Sequence, residues 1–309
     1  NEAVGQHYLI TGDDLPAPYA TESVSNSGDL NSIPEPPVLN LPEGFTVNLF
    51  ATGFDHARWL ATAPNGDIFL AESREGHIMV LRDADGDGIA ETQSVYWSRM
   101  NRPTGMVFRD DGFYVADTEA VWRFDYGNGD LEAGRAPLRM TVSDALGGSR
   151  GHWTRTLAFA PDGADFFVAV GSRDNESIES APRATIQIFE NGSSEPRTFA
   201  SGLRNAVGIA FHPVTGELYT VVNERDGYGD DLVPDYFTRV REGEFYGWPY
   251  AYSGTNPSPA YGDRAPELVA QSLEPDVMFQ SHSAPLGLVF YDGAMFPEDY
   301  QGDALVSLH

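Results

Sequence analysis

One histidine lies where a loop leads into a predicted strand, a position that suits proton transfer. His152 belongs to the run Gly151–Arg155, which precedes an apolar strand and a Pro-Asp-Gly turn. A neutral imidazole, with a reference pKa of about 6.5, accepts a proton readily near neutral pH. Loop histidines also serve to bond a backbone carbonyl, so the residue type alone leaves a catalytic and a structural role open.

A polar pair, Arg204–Asn205, lies immediately ahead of another predicted strand. A guanidinium presents parallel N–H donors and keeps its charge, so it suits the carboxylate and carbonyl oxygens of a ligand. In a chain this acidic, an ion pair with a neighbouring carboxylate is the alternative role for Arg204.

An acidic segment, Asp83–Glu91, has the spacing of the first half of a calcium-binding EF-hand loop, D-x-D-x-D-G. The twelfth position is Ser94 instead of a bidentate glutamate, which leaves Glu91 as the residue that could complete a smaller site. An acidic β-turn between two strands is the alternative interpretation, so a Ca²⁺ site here is left open.

These candidates lie among short apolar runs separated by Gly, Asp and Asn turns, a pattern typical of an all-β protein. Four segments share a layout of strand, glycine turn and strand, and they are Arg58–Ser73, Pro103–Thr118, Arg155–Ser172 and Ala206–Glu224. Their turn glycines recur at intervals of about 50 residues, and a fifth copy begins at Pro285. Such a repeat predicts a β-propeller, with a β-sandwich of chance internal similarity as the alternative.

The chain divides into two predicted parts. Residues 1–43, rich in Pro, Ser, Asn and acidic residues, are expected to form an extended N-terminal arm, and residues 44–309 form the propeller. The chain stops at His309 inside a predicted strand, whereas a propeller closes by pairing its last blade with its first. We therefore expect the C-terminal part of the last blade or blades to be missing from this chain.

The charge balance excludes several classes of partner. The chain carries 46 acidic residues against 19 basic ones, all of them Arg, for a net charge of −27. Such a charge repels nucleic acids and anionic membranes, and no apolar run is long enough to span a bilayer. The absence of Cys excludes disulfides and thiolate sites. Acidity without any Lys favours a protein adapted to high salt, and an ordinary acidic secreted protein is the alternative.

Several motifs, in order along nearly the whole chain, resemble the glucose/sorbosone dehydrogenases that depend on pyrroloquinoline quinone (PQQ), and in particular their L-sorbosone dehydrogenase branch. These motifs are Gly151–Arg155 with Val170–Ser172, Ser201–Gly208, Asn223–Pro249 and Ser281–Pro285. The resemblance implies a six-bladed β-propeller that holds PQQ and Ca²⁺. It also implies oxidation of an aldose or sugar aldehyde, with electrons passing to an external acceptor such as a cytochrome or quinone.

The resemblance also implies roles for individual residues. His152 occupies the place of the family's catalytic base, and Arg204 and Asn205 match an Arg-Asn pair that reaches cofactor and substrate. Backbone carbonyls near Asp226 and Gly227 match those that hold the Ca²⁺ ion together with the cofactor.

Two further arginines are candidate cofactor contacts. Arg102 lies near the family's contact in the first blade, and Arg155 flanks the strand that follows His152. The glucose-oxidising branch carries an Asp immediately before its histidine to orient the ring, whereas this sequence has Gly151 there. Some other group must therefore orient the imidazole or set its tautomer.

Two other functions are compatible with a propeller, because one fold hosts many activities. A Ca²⁺-dependent lactonase would hold its metal with side chains at strand ends, for which Glu72, Asp117 and Asn223 are candidates. A propeller that binds glycans or proteins without catalysis is the second alternative. The lack of Cys and the first residue, Asn1, lead us to expect an extracytoplasmic protein, periplasmic or secreted, of open oligomeric state.

Overall fold

The computed structural model describes residues 4–23 and 39–309. Nearly all regular structure is β-strand. The exceptions are one helix, α1 (Pro266–Gln271), and three short 3-10 turns, Gly12–Asp14, Gly262–Arg264 and Glu298–Tyr300. Within the described ranges, no helix has the length and apolar character needed to cross a membrane.

Four antiparallel sheets follow one another along the chain, and each contains four strands. The first sheet consists of β1 (Ala57–Thr62), β2 (Ile68–Glu72), β3 (His77–Arg82) and β4 (Thr92–Trp97). The second consists of β5 (Met106–Arg109), β6 (Gly112–Ala116), β7 (Val121–Phe124) and β8 (Leu138–Arg139). The third consists of β9 (Leu157–Phe159), β10 (Phe166–Val170), β11 (Thr185–Phe189) and β12 (Arg197–Ser201).

The fourth sheet contains an insertion before its outermost strand. Its strands are β13 (Asn205–Phe211), β14 (Leu218–Asn223), β15 (Pro234–Val240) and β18 (Val277–Ser281). The insertion holds α1 and a small hairpin of β16 (Ala251–Tyr252) and β17 (Asn256–Pro257). A fifth, two-stranded sheet follows, with β19 (Leu288–Phe290) and β20 (Ala304–Val306).

The first strands of successive sheets pack side by side: β1 against β5, β5 against β9, β9 against β13, and β13 against β19. Each sheet thus contacts the next sheet in chain order through its first, innermost strand, which is a propeller-like arrangement. The prediction of an all-β propeller is therefore confirmed. The described residues contain four complete four-stranded sheets and one of two strands. The count of six blades stays a prediction.

The strands in the middle of each sheet are apolar on both faces because each face meets a different neighbouring sheet. In β6, Phe113 packs into the core shared with the first sheet, and the next residue, Tyr114, packs into the core shared with the third. In β10, Phe166 and Phe167 divide in the same way between the second and fourth sheets. The period of two along a strand produces this division.

The loops ahead of the inner strands meet at one end of the molecule. Ahead of β5, the Thr104 hydroxyl donates to the carbonyl oxygen of Arg155, ahead of β9, at 2.8 Å. The Thr156 hydroxyl donates in turn to the carbonyl oxygen of Val207 in β13. Successive inner strands therefore begin at the same end, and we call the surface formed by the loops ahead of β1, β5, β9, β13 and β19 the mouth.

The described part of the N-terminal arm packs against the loop between β14 and β15. The Tyr19 N–H donates to the Tyr228 carbonyl oxygen at 2.6 Å, and the two rings meet edge to face, 5.7 Å apart. The side chain of Leu15 packs on the apolar cluster that contains Leu232 and Val233. Residues 24–38 of the predicted arm lie outside the described residues.

Candidate active site

His152 lies half-buried in the loop ahead of β9 and is oriented by Ser172. Its ring Nδ1 is 2.9 Å from the Ser172 carbonyl oxygen and 3.0 Å from Ser172 Oγ. A carbonyl oxygen can only accept, so Nδ1 carries the proton and Nε2 presents its lone pair. This is the tautomer that a base facing the mouth requires. Ser172 was not predicted as a site residue, although it closes the motif Val170–Ser172.

Two glycines explain why the loop has this shape. Gly151 has φ +71°, and a Cβ there would lie 2.1 Å from the carbonyl oxygen of Arg173, so no Asp can precede the histidine. At Gly171, a Cβ would lie 2.6 Å from His152 Cβ and 2.4 Å from Asn205 Oδ1. The side chains of His152 and Asn205 therefore converge on one small space that Gly171 leaves open.

Two buried arginines hold the backbone of the His152 loop. Arg155 donates to the carbonyl oxygens of His152 at 3.0 Å and Gly148 at 2.7 Å, and to those of Leu146 and Thr154. Arg183 donates to the same two oxygens, at 3.2 Å for His152 and 3.1 Å for Gly148. Carbonyl oxygens that would otherwise be unpaired are thereby satisfied, which fixes the loop.

The placement of Arg155 contradicts its prediction as a cofactor contact. Its side chain is 0% exposed, and four of its N–H groups bond to backbone carbonyls. Residue type suggested ligand binding, but the strand after His152 directs this guanidinium under the loop instead of into the mouth. Arg155 is a residue that positions His152.

Arg204 and Asn205 lie beside His152, as the motif predicted. The Ser172 N–H donates to the Arg204 carbonyl oxygen at 2.7 Å, which joins the two mouth segments directly. The buried Arg204 guanidinium donates to Asn175 Oδ1 at 2.8 Å and to the Glu224 carbonyl oxygen at 2.7 Å. Asn205 Oδ1 is buried and has no hydrogen-bond partner among the described residues.

The surroundings keep the His152 imidazole neutral. Burial lowers the pKa of His152 from 6.5 to about 4, and the Arg204 guanidinium contributes in the same direction. The hydrogen bond with the Ser172 carbonyl opposes this shift but is outweighed. Near neutral pH, the ring is therefore in the form that accepts a proton.

Arg102 is exposed and lies next to the residue that follows the histidine. Its guanidinium carbon is 5.6 Å from the centroid of the Trp153 indole. The loop ahead of β5 thus reaches the loop ahead of β9, and the structure brings Arg102 to the same mouth as His152.

The predicted metal loop lies on the other side of Arg204. The Asp226 carboxylate is 3.6 Å from an Arg204 nitrogen and 3.1 Å from His282 Nδ1, and the Asp226 carbonyl oxygen accepts from Asn175 Nδ2 at 2.9 Å. Gly227 has φ +100°, which turns the backbone sharply. Its carbonyl oxygen bonds to no described residue. This oxygen is therefore open to a cation, and the Asp226 carboxylate beside it already contacts Arg204 and His282.

A buried carboxylate within the motif Asn223–Pro249, which was not predicted as a site residue, ties this loop to the next. Asp235 in β15 accepts the Glu224 N–H at 2.6 Å and the Ala284 N–H at 2.7 Å. Burial raises the pKa of Asp235 to about 6, and the two backbone hydrogen bonds oppose that rise. Asp235 thereby fixes the loop after β14 relative to the loop ahead of β19.

A sequence model of the TrAA12-like family matches residues 39–268. The chain belongs to the TrAA12-like family. The members of this family are PQQ-dependent oxidoreductases, so the predicted class of enzyme is confirmed. The narrower assignment to a sorbosone branch stays a prediction.

Two solved structures share the fold. The holo form of the pyranose dehydrogenase PQQ domain from Coprinopsis cinerea has a TM-score of 0.69 and 20% identity, and the match covers 82% of this chain and 72% of that chain. The calcium structure of Trichoderma reesei Carbohydrate-Active Enzymes family AA12 has a TM-score of 0.70 and 17% identity, covering 92% and 76%. An uncharacterized protein of Borreliella burgdorferi is 24% identical over 281 residues, which are 88% of this chain and 72% of the relative.

The mouth residues fit the anionic quinone cofactor of the TrAA12-like family. The buried Arg204 guanidinium lies at the mouth, and the Oδ1 of the adjacent Asn205 has no hydrogen-bond partner among the described residues. In a chain of net charge −27, a buried guanidinium beside an unpartnered acceptor suits a polar, carboxylated ligand.

The residues considered for a lactonase are not assembled into a metal site. Glu72 accepts the Asp55 N–H, Asp117 accepts the N–H groups of its own turn, and Asn223 donates to the Pro285 carbonyl oxygen. Each side chain is occupied in holding local backbone, which disfavours that alternative.

Among the described residues, one group of three or more possible metal ligands clusters, and it is the acidic loop between β3 and β4. The ligand atoms of Asp83, Asp85, Asp87 and Glu91 lie within 4.8 Å of one another. Asp83 already accepts the N–H groups of Gly86 and Gly88. A Ca²⁺ ion in this turn stays a prediction.

Proposed function

We propose that this TrAA12-like protein oxidises an aldose or sugar aldehyde, with His152 as the base and PQQ as the electron acceptor. One observation carries the proposal: a neutral imidazole with its bare Nε2 lies beside Arg204 and Asn205 at the propeller mouth. The name of the Coprinopsis cinerea relative, a pyranose dehydrogenase, supports a sugar substrate.

When bound, PQQ supplies the hydride acceptor that no amino-acid side chain provides. The chain's own residues handle the proton. The substrate hydroxyl donates its proton to His152 Nε2, and the Nδ1–H bond to the Ser172 carbonyl oxygen stabilises the imidazolium that results. Asn205 Oδ1 offers an acceptor that orients a sugar hydroxyl, since it has no hydrogen-bond partner in the described part of the chain.

Arg204 and Asn205 are proposed to hold the cofactor. Arg204 is largely satisfied by Asn175, Asn223 and Glu224, so it is rigid before any ligand arrives. Preorganised donors of this kind contribute more to binding and catalysis than mobile ones, because they need no reorganisation.

A Ca²⁺ ion is proposed at the Gly227 carbonyl oxygen and the Asp226 carboxylate. Ca²⁺ takes about six to eight oxygen ligands, so two protein oxygens leave most positions to cofactor and water. At this place a divalent cation would polarise a ligand carbonyl as a Lewis acid. Removal of Ca²⁺ by a chelator is expected to weaken PQQ binding and leave the fold intact.

The test is reconstitution. The ligand-free protein is titrated with PQQ, with and without Ca²⁺, and binding is followed by the cofactor's absorbance; dye reduction is then measured with aldoses and sugar aldehydes. The proposal predicts saturable binding that Ca²⁺ strengthens, and sugar-dependent dye reduction. Release of acid from lactones without added quinone would instead support the lactonase alternative. We further propose an extracytoplasmic location, which cell fractionation tests.

A further inference from the structure

A cationic corner next to His152 has no counter-ion among the residues that the structure describes. The Arg58 and Arg102 guanidinium carbons lie 5.5 and 5.6 Å from the centroid of the Trp153 indole. Arg58 comes from β1 and Arg102 from the loop ahead of β5, so two different sheets contribute. The His56 ring lies 6.0 Å from the same indole. We call Arg58, Arg102, Trp153 and His56 the Trp153 corner.

The positive charge of the Trp153 corner is unpaired although acids are abundant. The chain has 46 acidic residues for 19 arginines, yet neither Arg58 nor Arg102 forms an ion pair or donates a hydrogen bond to a described residue. Asp55, close by in the sequence, has its carboxylate 3.7 Å from Arg74 instead.

The corner also carries the signs of an unfilled polar site. Burial lowers the pKa of Arg58, which means that its charge is held there at a cost. His56 Nδ1 is buried and has no partner among the described residues. A bound anion would offset the cost of the buried Arg58 charge, and a polar ligand atom would provide a hydrogen-bond partner for His56 Nδ1.

We propose that the Trp153 corner binds the carboxylate of a sugar acid, so that the enzyme prefers a uronic-acid type of aldose over a neutral one. This inference rests on the proposed function. A guanidinium pairs with a carboxylate through two parallel hydrogen bonds, and two guanidinium groups lie over the same indole. Trp153 adjoins His152 in the chain, and the proposal requires one sugar to reach from the corner to the base.

A carboxylate of PQQ is the other source of the same chemistry, and the experiment separates the two. The ligands are methyl β-D-glucopyranosiduronate and methyl β-D-glucopyranoside, which differ in one carboxylate. Both are blocked at the anomeric carbon and are therefore not oxidised there. Their dissociation constants are measured by calorimetry on the PQQ- and Ca²⁺-loaded protein at low salt, where charge pairs are weakly screened.

The proposal predicts that the uronide binds about tenfold more tightly than the glucoside, as a partly desolvated charge-assisted pair allows. In the double variant Arg58→Gln/Arg102→Gln this preference disappears, while glucoside binding is retained. Arg139→Gln is the control, because its guanidinium lies 5.4 Å from a different indole, that of Trp122 in the second sheet. That variant keeps the preference. If the double variant does not fold, Arg102→Gln alone, at an exposed position, is used.

Equal affinity for the two glycosides in the unaltered holoenzyme overturns the proposal. The proposal is also overturned if the double variant loses affinity for PQQ in a direct titration and the unaltered protein shows no preference for the uronide. That result would show that the corner holds the cofactor. Both results leave sugar oxidation intact. Absence of PQQ binding or of dye reduction with any aldose would instead count against the proposed function.

Discussion

His152 obtains its proton-accepting nitrogen from a backbone hydrogen bond and not from a charged partner. The Ser172 carbonyl fixes the proton on Nδ1, and burial with the Arg204 charge keeps Nε2 bare. A carboxylate partner would have raised the imidazole pKa, whereas a carbonyl orients the ring at little electrostatic cost. The lone pair is therefore available well below neutral pH.

Replacing the base is expected to lower turnover without removing the cofactor. His152→Asn leaves a side-chain donor that can reach the Ser172 carbonyl oxygen but provides no basic nitrogen. We expect kcat to fall by about 10²–10⁴, the usual contribution of general-base catalysis, with the PQQ titration nearly unchanged. His212→Asn, at the far end of β13, is the control. Unchanged turnover in the His152 variant would remove the assignment.

The protonation state of His152 can be measured directly. In the ligand-free protein, ¹⁵N chemical shifts of the ring are expected to show a proton on Nδ1 and a pKa of about 4. Because the folded pKa lies below the unfolded value of 6.5, the unfolded state takes up the proton first as the pH falls. This group therefore stabilises the fold less as the pH drops from 6.5 towards 4. A pKa at or above 6.5 contradicts this account.

At the scale of elements, two buried arginines bond to the backbone of the loop ahead of β9, and a glycine lets this loop pass close to a neighbouring segment. Arg155 and Arg183 share the carbonyl oxygens of His152 and Gly148. Gly151 lets the loop pass against the backbone of Arg173. The position of the imidazole is thus set by backbone contacts on both sides of it.

A matched pair of glycine substitutions isolates that close approach. Gly151 and Gly148 have φ +71° and +70°, but a Cβ meets the Arg173 carbonyl oxygen at 2.1 Å in the first and nothing within 4 Å in the second. Gly148→Ala is expected to cost about 1–2 kcal/mol from its backbone conformation alone. Gly151→Ala should cost about 2 kcal/mol more, because the backbone must shift. Urea unfolding gives both values, and equal losses would show that the loop yields freely.

At the scale of the whole molecule, the surface is strongly acidic, whereas several arginines lie together at the mouth. The net charge of −27 is spread over a surface whose mouth gathers Arg58, Arg102 and Arg204. Repulsion among surface carboxylates destabilises the compact state, and the proposed sites assign the binding of anionic ligands to these arginines.

Salt is expected to stabilise the protein. Between about 0.05 M and about 2 M NaCl the Debye length falls from roughly 14 Å to a few ångströms, so the carboxylates cease to repel one another. We expect the melting temperature to rise and then level off once screening is complete. A continued linear rise would indicate general salting-out, and a lower melting temperature in molar salt would remove the hypothesis of a high-salt protein.

The sequence by itself determined the repeating unit and the candidate residues of the site. Strand-turn-strand segments recur with their turn glycines and specify the all-β propeller. Side chains alternate between the two faces of a strand, and both faces of the middle strands are buried between neighbouring sheets. Short motifs likewise identified His152, Arg204 and Asn205, which the structure brings together.

The tertiary structure alone decided which way each side chain of those motifs points. Arg155 resembles a ligand contact in the motif, but lies under the loop, while Arg58, which no motif marked, reaches Trp153 from another sheet. Ser172 and Asp235 act through contacts with segments 20 and 49 residues away. The burial and the pKa of each side chain depend on such distant neighbours. The sequence pattern does not identify these neighbours, because only the packing of the sheets brings them close.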